Sequence, residues 1–311
     1  MLIARQMIIL RRAEQSREKT SGLKRSPSAH FASGGMKMRK GLGGRSGCRV
    51  LISHRVKQSG EKGMEYIRVT MENLEKEHIC CAISSNKDDQ VSSKKAWLAD
   101  RFAEGLVFLK SVERGKCFIE YLPAEYAWNP IEAPGYMHID CLWVSGAFKG
   151  HGYSNDLLSE CIADSKAKGK KGLCILASAK KKPFLADPKF LKYKGFRVSD
   201  EADNGIQLWY FPFEMENEKP LFKECARYPR IDERGYVLFY TNQCPFNAKY
   251  VPVLEETAEK NGISFKAVRI ESREEAQKAP TPITTYALFC DGEYVTNEPL
   301  NDKKFLKLIN G

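Results

Sequence analysis

Two glycines in a short polar loop, Gly150 and Gly152, have the type and spacing that most clearly indicate chemistry in this chain. The apolar segment 137–144 before them predicts a strand, and the segment 155–168 after them predicts an amphipathic helix. Backbone N–H groups converge at the N-terminus of such a helix, where the helix dipole favours negative charge. Because glycine has no side chain, a phosphate can approach the backbone closely at both positions. The loop therefore predicts a binding site for a phosphorylated ligand.

Two common phosphate-binding motifs do not fit this loop. A P-loop needs four residues between its glycines and then Gly-Lys-Ser/Thr, a spacing that the sequence lacks. A dinucleotide fingerprint needs a third glycine, but Asn155 stands at that position. It also needs an acidic residue at the end of the next strand, and the predicted strand 173–177 is followed by Ser178. Another kind of phosphate site is therefore expected.

The loop instead resembles the acetyl-CoA loop of the GNAT N-acetyltransferases, whose signature is Gln/Arg-x-x-Gly-x-Gly/Ala. Gly152 matches the central glycine, while Lys149 replaces Gln/Arg and Ser154 replaces Gly/Ala. Lysine still offers a cation to a pyrophosphate, and serine is small and adds a hydroxyl donor. The resemblance implies acetyl-CoA as co-substrate and calls for no metal. It assigns the pyrophosphate of acetyl-CoA to Lys149, Gly150, His151, Gly152, Tyr153, Ser154 and Asn155.

The predicted elements follow the order of a GNAT domain over residues 64–213. Those after the loop helix are a strand (173–177), a short helix (187–194) closed by Gly195-Phe196, and a strand (205–211). The resemblance implies an α/β (α+β) fold with a mixed sheet whose fourth and fifth strands splay apart. It also implies that backbone groups of Leu142, Trp143 and Val144 bind the pantetheine arm and polarise the thioester carbonyl.

Two ionisable residues on the strand before the loop are candidates for the general base. His138 and Asp140 lie two residues apart, so their side chains share one face of a strand. A carboxylate or an imidazole there could take a proton from an attacking amine, directly or through water. The alternative is a polar strand face whose hydrogen bonds are satisfied within the fold.

The general acid is expected in the short helix before Gly195-Phe196. Many GNAT enzymes carry a tyrosine four residues before that glycine, but Leu191 occupies this position here. Tyr193 is the nearest tyrosine, and it lies roughly 200° around the helix from Leu191. Tyr193 is therefore either the acid, through a local shift of register, or an amphipathic packing residue. In the second case water or another group assists the departing thiolate.

The C-terminal segment 235–311 resembles the thioredoxin fold in the order of its predicted strands and helices. Cys244-Pro245-Phe246-Asn247 stands where that family has Cys-x-x-Cys at a helix N-terminus, and Pro282 stands where it has a cis-proline. Asn247 replaces the resolving cysteine, so a dithiol–disulfide cycle is not expected. The helix dipole predicts a lowered pKa for the Cys244 thiol. Cys244 therefore forms mixed disulfides or binds substrate, or else belongs to an inactive scaffold.

The charged, proline-bearing stretch 214–234 is predicted to link the two domains. A GNAT domain followed by a thioredoxin-like domain resembles the YoaP-like acetyltransferases of bacteria, and this resemblance covers 64–311. Specificity for the acceptor is expected in loops around 125–135 and at the junction between the domains.

Charge separates the first 63 residues from the rest of the chain. The net charge is +11, and residues 1–63 hold 15 of the 50 Lys and Arg residues but only 3 of the 39 Asp and Glu residues. The remaining 35 basic and 36 acidic residues nearly balance, so nucleic-acid binding is not expected from the core. Segment 1–63 is predicted to be disordered. It is a basic tail, a transit-like presequence, or sequence upstream of a true start at Met64.

Cysteine usage and the lack of a long apolar run predict a cytoplasmic protein. Ten cysteines occur without repeated spacing or a Cys-x-x-Cys pair, which suits a reducing compartment and argues against a zinc ribbon. The sequence has no run of about 18 apolar residues, so no membrane segment is expected.

These patterns together predict an acetyl-CoA-dependent N-acetyltransferase. The acetyl group is expected to pass to an amine of a small molecule or a protein by direct attack in a ternary complex. One alternative is a non-catalytic sensor that binds acyl-CoA, since Leu191 occupies the usual acid position. Another is a thiol-dependent protein that acts through Cys244.

Overall fold

The structure is a computed structural model, and it describes residues 51–53 (backbone only), 63–81, 85, 88–214 and 218–310. All of these belong to one compact unit, 47–311. The strands are β1 (Leu51–Ser53), β2 (Glu65–Val69), β3 (Val107–Ser111), β4 (Cys117–Pro123), β5 (Ile131–Glu132), β6 (Tyr136–Val144), β7 (Gly172–Ser178), β8 (Arg197–Glu201), β9 (Ile206–Pro212), β10 (Leu221–Phe222), β11 (Tyr236–Tyr240), β12 (Phe265–Arg269), β13 (Tyr286–Cys290) and β14 (Glu293–Thr296). The α-helices are α1 (Asp89–Phe102), α2 (Tyr153–Ala167), α3 (Pro188–Tyr193), α4 (Glu224–Arg227), α5 (Phe246–Lys260), α6 (Arg273–Ala276) and α7 (Asp302–Asn310).

The larger sheet contains eight strands in the order β1-β2-β3-β4-β6-β7-β9-β8. Neighbouring strands are antiparallel except β6 and β7, which are parallel because α2 crosses between them. Their pairing ends at Ile139 and Ile175, although β6 continues to Val144 and β7 to Ser178. Beyond this pair the two central strands diverge. The predicted mixed α/β sheet with splayed central strands is therefore confirmed.

A β-bulge interrupts the pairing of β4 with β6. Glu120 lies opposite Cys141 and Tyr121 lies opposite Ile139, so Asp140 is the extra residue on β6. A bulge re-aims the side chains beside it, and such bulges are common next to active sites. Here Cys141 packs against the core on the α1 face of the sheet, and Asp140 faces Glu120 from the same side.

Helices cover both faces of the larger sheet. On one face α2 buries Leu157, Leu158 and Cys161 against the strands, and on the other α1 buries Val91 and Leu98. These positions repeat every three to four residues, which is the period of an amphipathic helix. Among the described helices, none has the length and apolar character needed to cross a lipid bilayer.

The smaller sheet has the strand order β12-β11-β13-β14. β11 is parallel to β12 and antiparallel to β13, and α5 and α7 pack on the sheet through Leu254 and Phe305. The thioredoxin-like fold of this part stays a prediction. The peptide bond before Pro282 is trans, and no cis peptide bond occurs among the described residues.

The C-terminal region, which we define as residues 235–310, packs directly on the larger sheet. Ile270, Ala276 and Ala279 share the core on the α1 face with Trp97 and Trp128. Polar contacts also cross this junction. Asn129 Nδ2 donates to the Pro282 carbonyl at 3.0 Å, and Thr284 Oγ1 donates to the Trp128 carbonyl.

Two predicted irregular segments contain ordered structure. In the stretch 214–234, β10 pairs with β5 and Phe222 is buried, so this link is anchored to the larger sheet. In the segment 1–63, β1 pairs with the outer edge of β2. These three residues pair along an open strand edge, which offers unpaired N–H and C=O groups. Apart from β1 and Gly63, segment 1–63 lies outside the described residues.

Candidate active site

The glycine loop, which we define as residues 149–155, connects the end of β6 to α2. Gly150 and Gly152 have φ angles of 84° and 83°, in the left-handed region that favours glycine. The Gly152 carbonyl accepts hydrogen bonds from the amides of Asn155 at 2.8 Å and Asp156 at 3.3 Å, so Gly152 is the N-cap of α2. The helix therefore begins at Tyr153, two residues before the predicted start. Its first-turn amides point toward the loop.

The loop has open space where a phosphate would lie. A Cβ atom placed on Gly150 meets no atom within 4 Å, and one placed on Gly152 meets only Asn155 Nδ2, at 3.9 Å. Gly150 and His151 are exposed, and the His151 ring stacks on Tyr153 with a centroid distance of 5.5 Å. The predicted pyrophosphate residues thus form one continuous surface at a helix N-terminus, a geometry that suits an anion.

The hairpin turn between β3 and β4 packs against Phe148, the residue before the glycine loop. Gly115 lies between β3 and β4, and a Cβ atom at this position would lie 2.0 Å from the Phe148 ring. Only glycine therefore lets Phe148 pack here, and Phe148 directly precedes the loop. Sequence patterns did not predict this contact, because it joins residues that are 33 positions apart.

The divergence of β6 from β7 leaves the end of β6 unpaired on its β7 side, directly before the glycine loop, and we call this gap between the two strands the cleft. Tyr136–Ile139 is buried on β6, whereas Cys141–Val144 is half-buried. Leu142 and Val144 pack toward the α2 face, and Trp143 packs toward the α1 face. The three predicted pantetheine-binding residues therefore line the cleft. Their backbone groups on the β7 side have no strand partner in the described register.

His138 and Asp140 share one face of β6, as their spacing predicted. His138 Nε2 lies 3.5 Å from Asp140 Oδ1, and both side chains are nearly fully buried. Burial lowers the pKa of His138 to about 4, so this imidazole is neutral near pH 7. Burial, followed by the nearby Glu120 carboxylate, raises the pKa of Asp140 well above its ordinary value. The role of either residue as a base stays a prediction.

A buried charged cluster, which we define as Lys94, Glu120 and Asp140, lies under this part of β6. Lys94 Nζ contacts Glu120 Oε1 at 2.7 Å and Oε2 at 2.6 Å, and both side chains are 1% exposed. Lys94 Nζ also donates to the Gln243 carbonyl at 2.7 Å, and the Gln243 side chain donates to Asp140. The cluster therefore joins α1, β4, β6 and the C-terminal region.

Cys244 follows Gln243 and lies beside this cluster. The thiol is partly buried, and burial raises its pKa to about 11, whereas the hydrogen bond from the Phe246 amide lowers it only in part. The predicted low pKa is therefore wrong, because desolvation outweighs the helix N-terminus. Asn247, at the position of the resolving cysteine, donates to the carbonyls of Thr241 and Thr285 and so fixes the turn.

Comparison with known proteins identifies the family. The family model described as YoaP-like matches residues 264–307. The uncharacterized N-acetyltransferase YoaP of Bacillus subtilis (strain 168) is 45% identical over 248 residues, which is 79% of this chain and 99% of that protein. The chain belongs to the YoaP-like N-acetyltransferases. It is thus an acetyltransferase of the GNAT family, as its glycine loop indicated.

Solved acetyltransferases align with parts of this YoaP-like chain. The PaiA N-acetyltransferase of Thermoplasma acidophilum, in complex with coenzyme A, has 15% identity and a TM-score of 0.30. The alignment covers 38% of this chain and 71% of the PaiA chain. A GNAT acetyltransferase of Brucella melitensis, in complex with acetyl-CoA, has 16% identity and a TM-score of 0.28, and the alignment covers 41% and 72% of the two chains.

In this YoaP-like chain, Leu191 faces the core and Tyr193 faces outward. Leu191 is 1% exposed, whereas Tyr193 is 79% exposed with Lys194 Nζ lying 5.2 Å from its ring centroid. No shift of register brings Tyr193 inward. Its role as the acid stays a prediction that its position does not support.

The charged cluster is the part of the site that sequence reasoning missed. One signal was available, because Lys94 lies three residues after Val91 and four before Leu98, on the apolar face of α1. A lysine on such a face needs a buried partner. Nothing in the sequence indicated that Glu120 and Gln243 would be the partners.

Proposed function

We propose that this protein transfers the acetyl group of acetyl-CoA to a primary amine by direct attack in a ternary complex. The observation that carries this proposal is the end of β6–β7 pairing at Ile139 and Ile175. It opens a cleft that leads directly to the exposed glycine loop at the N-terminus of α2. A long ligand with a phosphate end fits such an arrangement, and acetyl-CoA has this shape and charge.

Different residues of the cleft bind different parts of acetyl-CoA. Amides of the glycine loop bind the pyrophosphate, and Lys149 adds a positive charge. The free backbone edge of Leu142–Val144 binds the pantetheine arm as an added strand would and polarises the thioester carbonyl.

Asp140 is the proposed base. The amine nitrogen attacks the thioester carbonyl carbon, a C–N bond forms and the C–S bond breaks. The proton lost by the amine passes to the Asp140 carboxylate, directly or through water, and the CoA thiolate takes a proton from solvent. A raised pKa suits this task, because a stronger base accepts a proton from an amine more readily. His138, neutral at 3.5 Å, holds the carboxylate in place.

A calorimetric titration of the full chain with acetyl-CoA tests the site. Gly152→Asp places a carboxylate in the loop, and we expect acetyl-CoA affinity to fall roughly 30-fold or more, since charge-assisted hydrogen bonds contribute about 1.5–3 kcal/mol each. Gly169→Asp is the matched control. Gly169 lies at the opposite end of α2, also has a positive φ (68°) and has open space around its Cβ position. Equal affinity in both variants would contradict the proposed site.

A non-catalytic acyl-CoA sensor is the second candidate, favoured by Leu191 at the acid position and by the exposure of Tyr193. Acetyl-CoA binding without transfer to any amine would support it. A thiol reaction at Cys244 gains no support from the structure, because a pKa of about 11 leaves little thiolate near pH 7. The cytoplasmic location and the choice between small-molecule and protein amines stay proposals.

A further inference from the structure

Three aromatic side chains from separate segments meet at the mouth of the cleft. Phe246 opens α5, and its ring centroid lies 6.4 Å from Trp143 at the end of β6. It also lies 5.8 Å from Phe184, in the loop between β7 and α3, with the two rings at 83°. We call Trp143, Phe184 and Phe246 the aromatic wall. Phe184 is 51% exposed and the other two are half-buried, so the wall presents ring surface to solvent.

The backbone at Phe184 is held in an unfavourable conformation. Its φ angle is 60°, in the left-handed region, which bulky residues rarely adopt. A non-glycine residue in such a region needs support from surrounding structure, and it often marks a functional site. The C-terminal region gives this support, because Asn297 Nδ2 donates to the Pro183 carbonyl at 3.3 Å. Tyr294 Oη in turn lies 3.2 Å from Asn297 Oδ1.

The turn 243–246 of the C-terminal region, which contains Phe246, also contacts the proposed base. Gln243 donates its side chain to Asp140 and offers its carbonyl to Lys94, and Phe246 follows three residues later. The turn 243–246 therefore holds the buried carboxyl of the site and also supplies one ring of the aromatic wall.

The buried charged cluster and the mouth of the cleft differ in charge. With Asp140 ionised, as the proposed reaction requires, Asp140 and Glu120 face one lysine, Lys94, while His138 is neutral, so the cluster attracts a single ammonium group. The mouth is basic. Lys116 Nζ lies 4.4 Å from the Trp143 ring centroid, and Lys180 and Lys182 flank Lys181, which pairs with Asp187 at 3.0 Å, in the loop before Phe184. A second cation on the acceptor would therefore be repelled at the mouth.

We infer that the C-terminal region completes the acceptor site, and that the acceptor is a monoamine carried on an aromatic group. The inference rests on the proposed function and names its substrate class. The amine end reaches Asp140 and reacts as described above. The aromatic end packs against Phe184 and Phe246, since offset and edge-to-face contacts of rings stabilise a complex beyond simple burial.

The test measures acetyl transfer by the full chain to four primary amines. Phenethylamine is aromatic, hexylamine is apolar but not aromatic, ethanolamine is small and polar, and putrescine carries two charges. We expect kcat/KM to be highest for phenethylamine, and to be lowest for putrescine. Phe184→Ala and Phe246→Leu should reduce the preference for phenethylamine over ethanolamine about tenfold, through KM, since an aromatic contact contributes about 0.5–1.5 kcal/mol. Tyr228→Ala, at another exposed aromatic residue, is the control and should change nothing.

The outcomes separate this inference from the proposed function. Equal use of all four amines, or a preference that survives both substitutions, would overturn the inference while leaving acetyl transfer in place. If no amine is acetylated, calorimetry of phenethylamine with the CoA-saturated chain decides: binding that Phe184→Ala weakens supports the aromatic site, and absence of binding overturns it. The acetyl-CoA titration reports the proposed cofactor site independently. Phe184→Ala removes an exposed ring, so the test stands even if Phe246→Leu does not fold.

Discussion

The cofactor side of the cleft relies on backbone groups of one continuous segment, whereas the acceptor side relies on buried side chains from four separate elements. The proposed anion site depends mainly on the φ angles of Gly150 and Gly152 and on the start of α2, with Phe148 packed on Gly115 beside it. Asp140, in contrast, depends on Glu120, Lys94 and Gln243. The two sides of the proposed site are therefore stabilised by different kinds of interaction. They should respond differently to substitution.

The largest expected effect concerns stability on the acceptor side. Lys94→Met removes the only described cation that contacts Glu120 and leaves a buried carboxylate unpaired. Breaking a buried pair in this way costs about 3–5 kcal/mol. We expect the free energy of unfolding in urea to fall by that amount.

Lys95→Met is the matched control for this variant. Lys95 is the next residue of α1, but its partners are the Glu75 carbonyl at 2.8 Å and the exposed Glu75 carboxylate at 3.7 Å. Lys95 is also buried, but its loss leaves no buried carboxylate unpaired, because Glu75 is exposed, so stability should fall by less than in Lys94→Met. Equal losses in the two variants would mean that the cluster does not behave as a buried ion pair. A Lys94→Met, Glu120→Leu double variant should recover much of the stability.

The next largest effect concerns the rate. Asp140→Asn keeps the size of the side chain but removes the proposed base, and we expect kcat to fall about 100-fold or more with acetyl-CoA affinity unchanged. The pH dependence gives a sharper measurement. Because the pKa of Asp140 is raised, its carboxyl takes up a proton at a higher pH than an ordinary aspartate. The rate of the wild-type chain should therefore fall as the pH drops, well before pH 4. The acceptor amine also loses its reactive un-ionised form as the pH drops, so rates are compared per un-ionised amine. On that scale the acid limb should be absent in Asp140→Asn, and its persistence would assign the base elsewhere.

The difference between one continuous segment and several separate elements also explains which features the sequence could predict. The glycine loop and the shared face of His138 and Asp140 follow from local patterns, and the splayed strands follow from the resemblance to GNAT domains. The structure contains all three features. The pKa of Cys244 did not follow, because a helix N-terminus is a local feature while desolvation depends on packing against α1 and β6. The partners of Lys94 and the aromatic wall also join segments distant in sequence. Such contacts cannot be inferred from periodicity alone.

A smaller effect should appear on the cofactor side. Gly115→Ala places a methyl group in the position of the Phe148 ring, so the loop must move. Overpacking of this kind costs about 1–3 kcal/mol. We expect acetyl-CoA affinity, measured by calorimetry, to fall by less than in Gly152→Asp, with little change in the preference among amines. A Gly115→Ala, Phe148→Leu double variant relieves the overlap. If it does not regain affinity, the hairpin turn does not position the glycine loop.

The smallest effect is expected at Cys244, beside the acceptor side, where alkylation measures the reactivity of the thiol. A thiol with a pKa near 11 holds roughly 100-fold less thiolate at pH 7 than an ordinary cysteine, so iodoacetamide should modify Cys244 slowly. Cys225 is exposed and serves as the internal reference in the same chain. Peptide mass spectrometry should show Cys225 modified first, with modification of Cys244 rising as the pH approaches 11. Cys244→Ser should change kcat/KM for acetyl transfer less than about twofold, because the turn 243–246 acts through Gln243 and Phe246. Rapid alkylation of Cys244 with parallel loss of activity would instead make its thiol part of the reaction, and the acceptor side would then depend on a local feature after all.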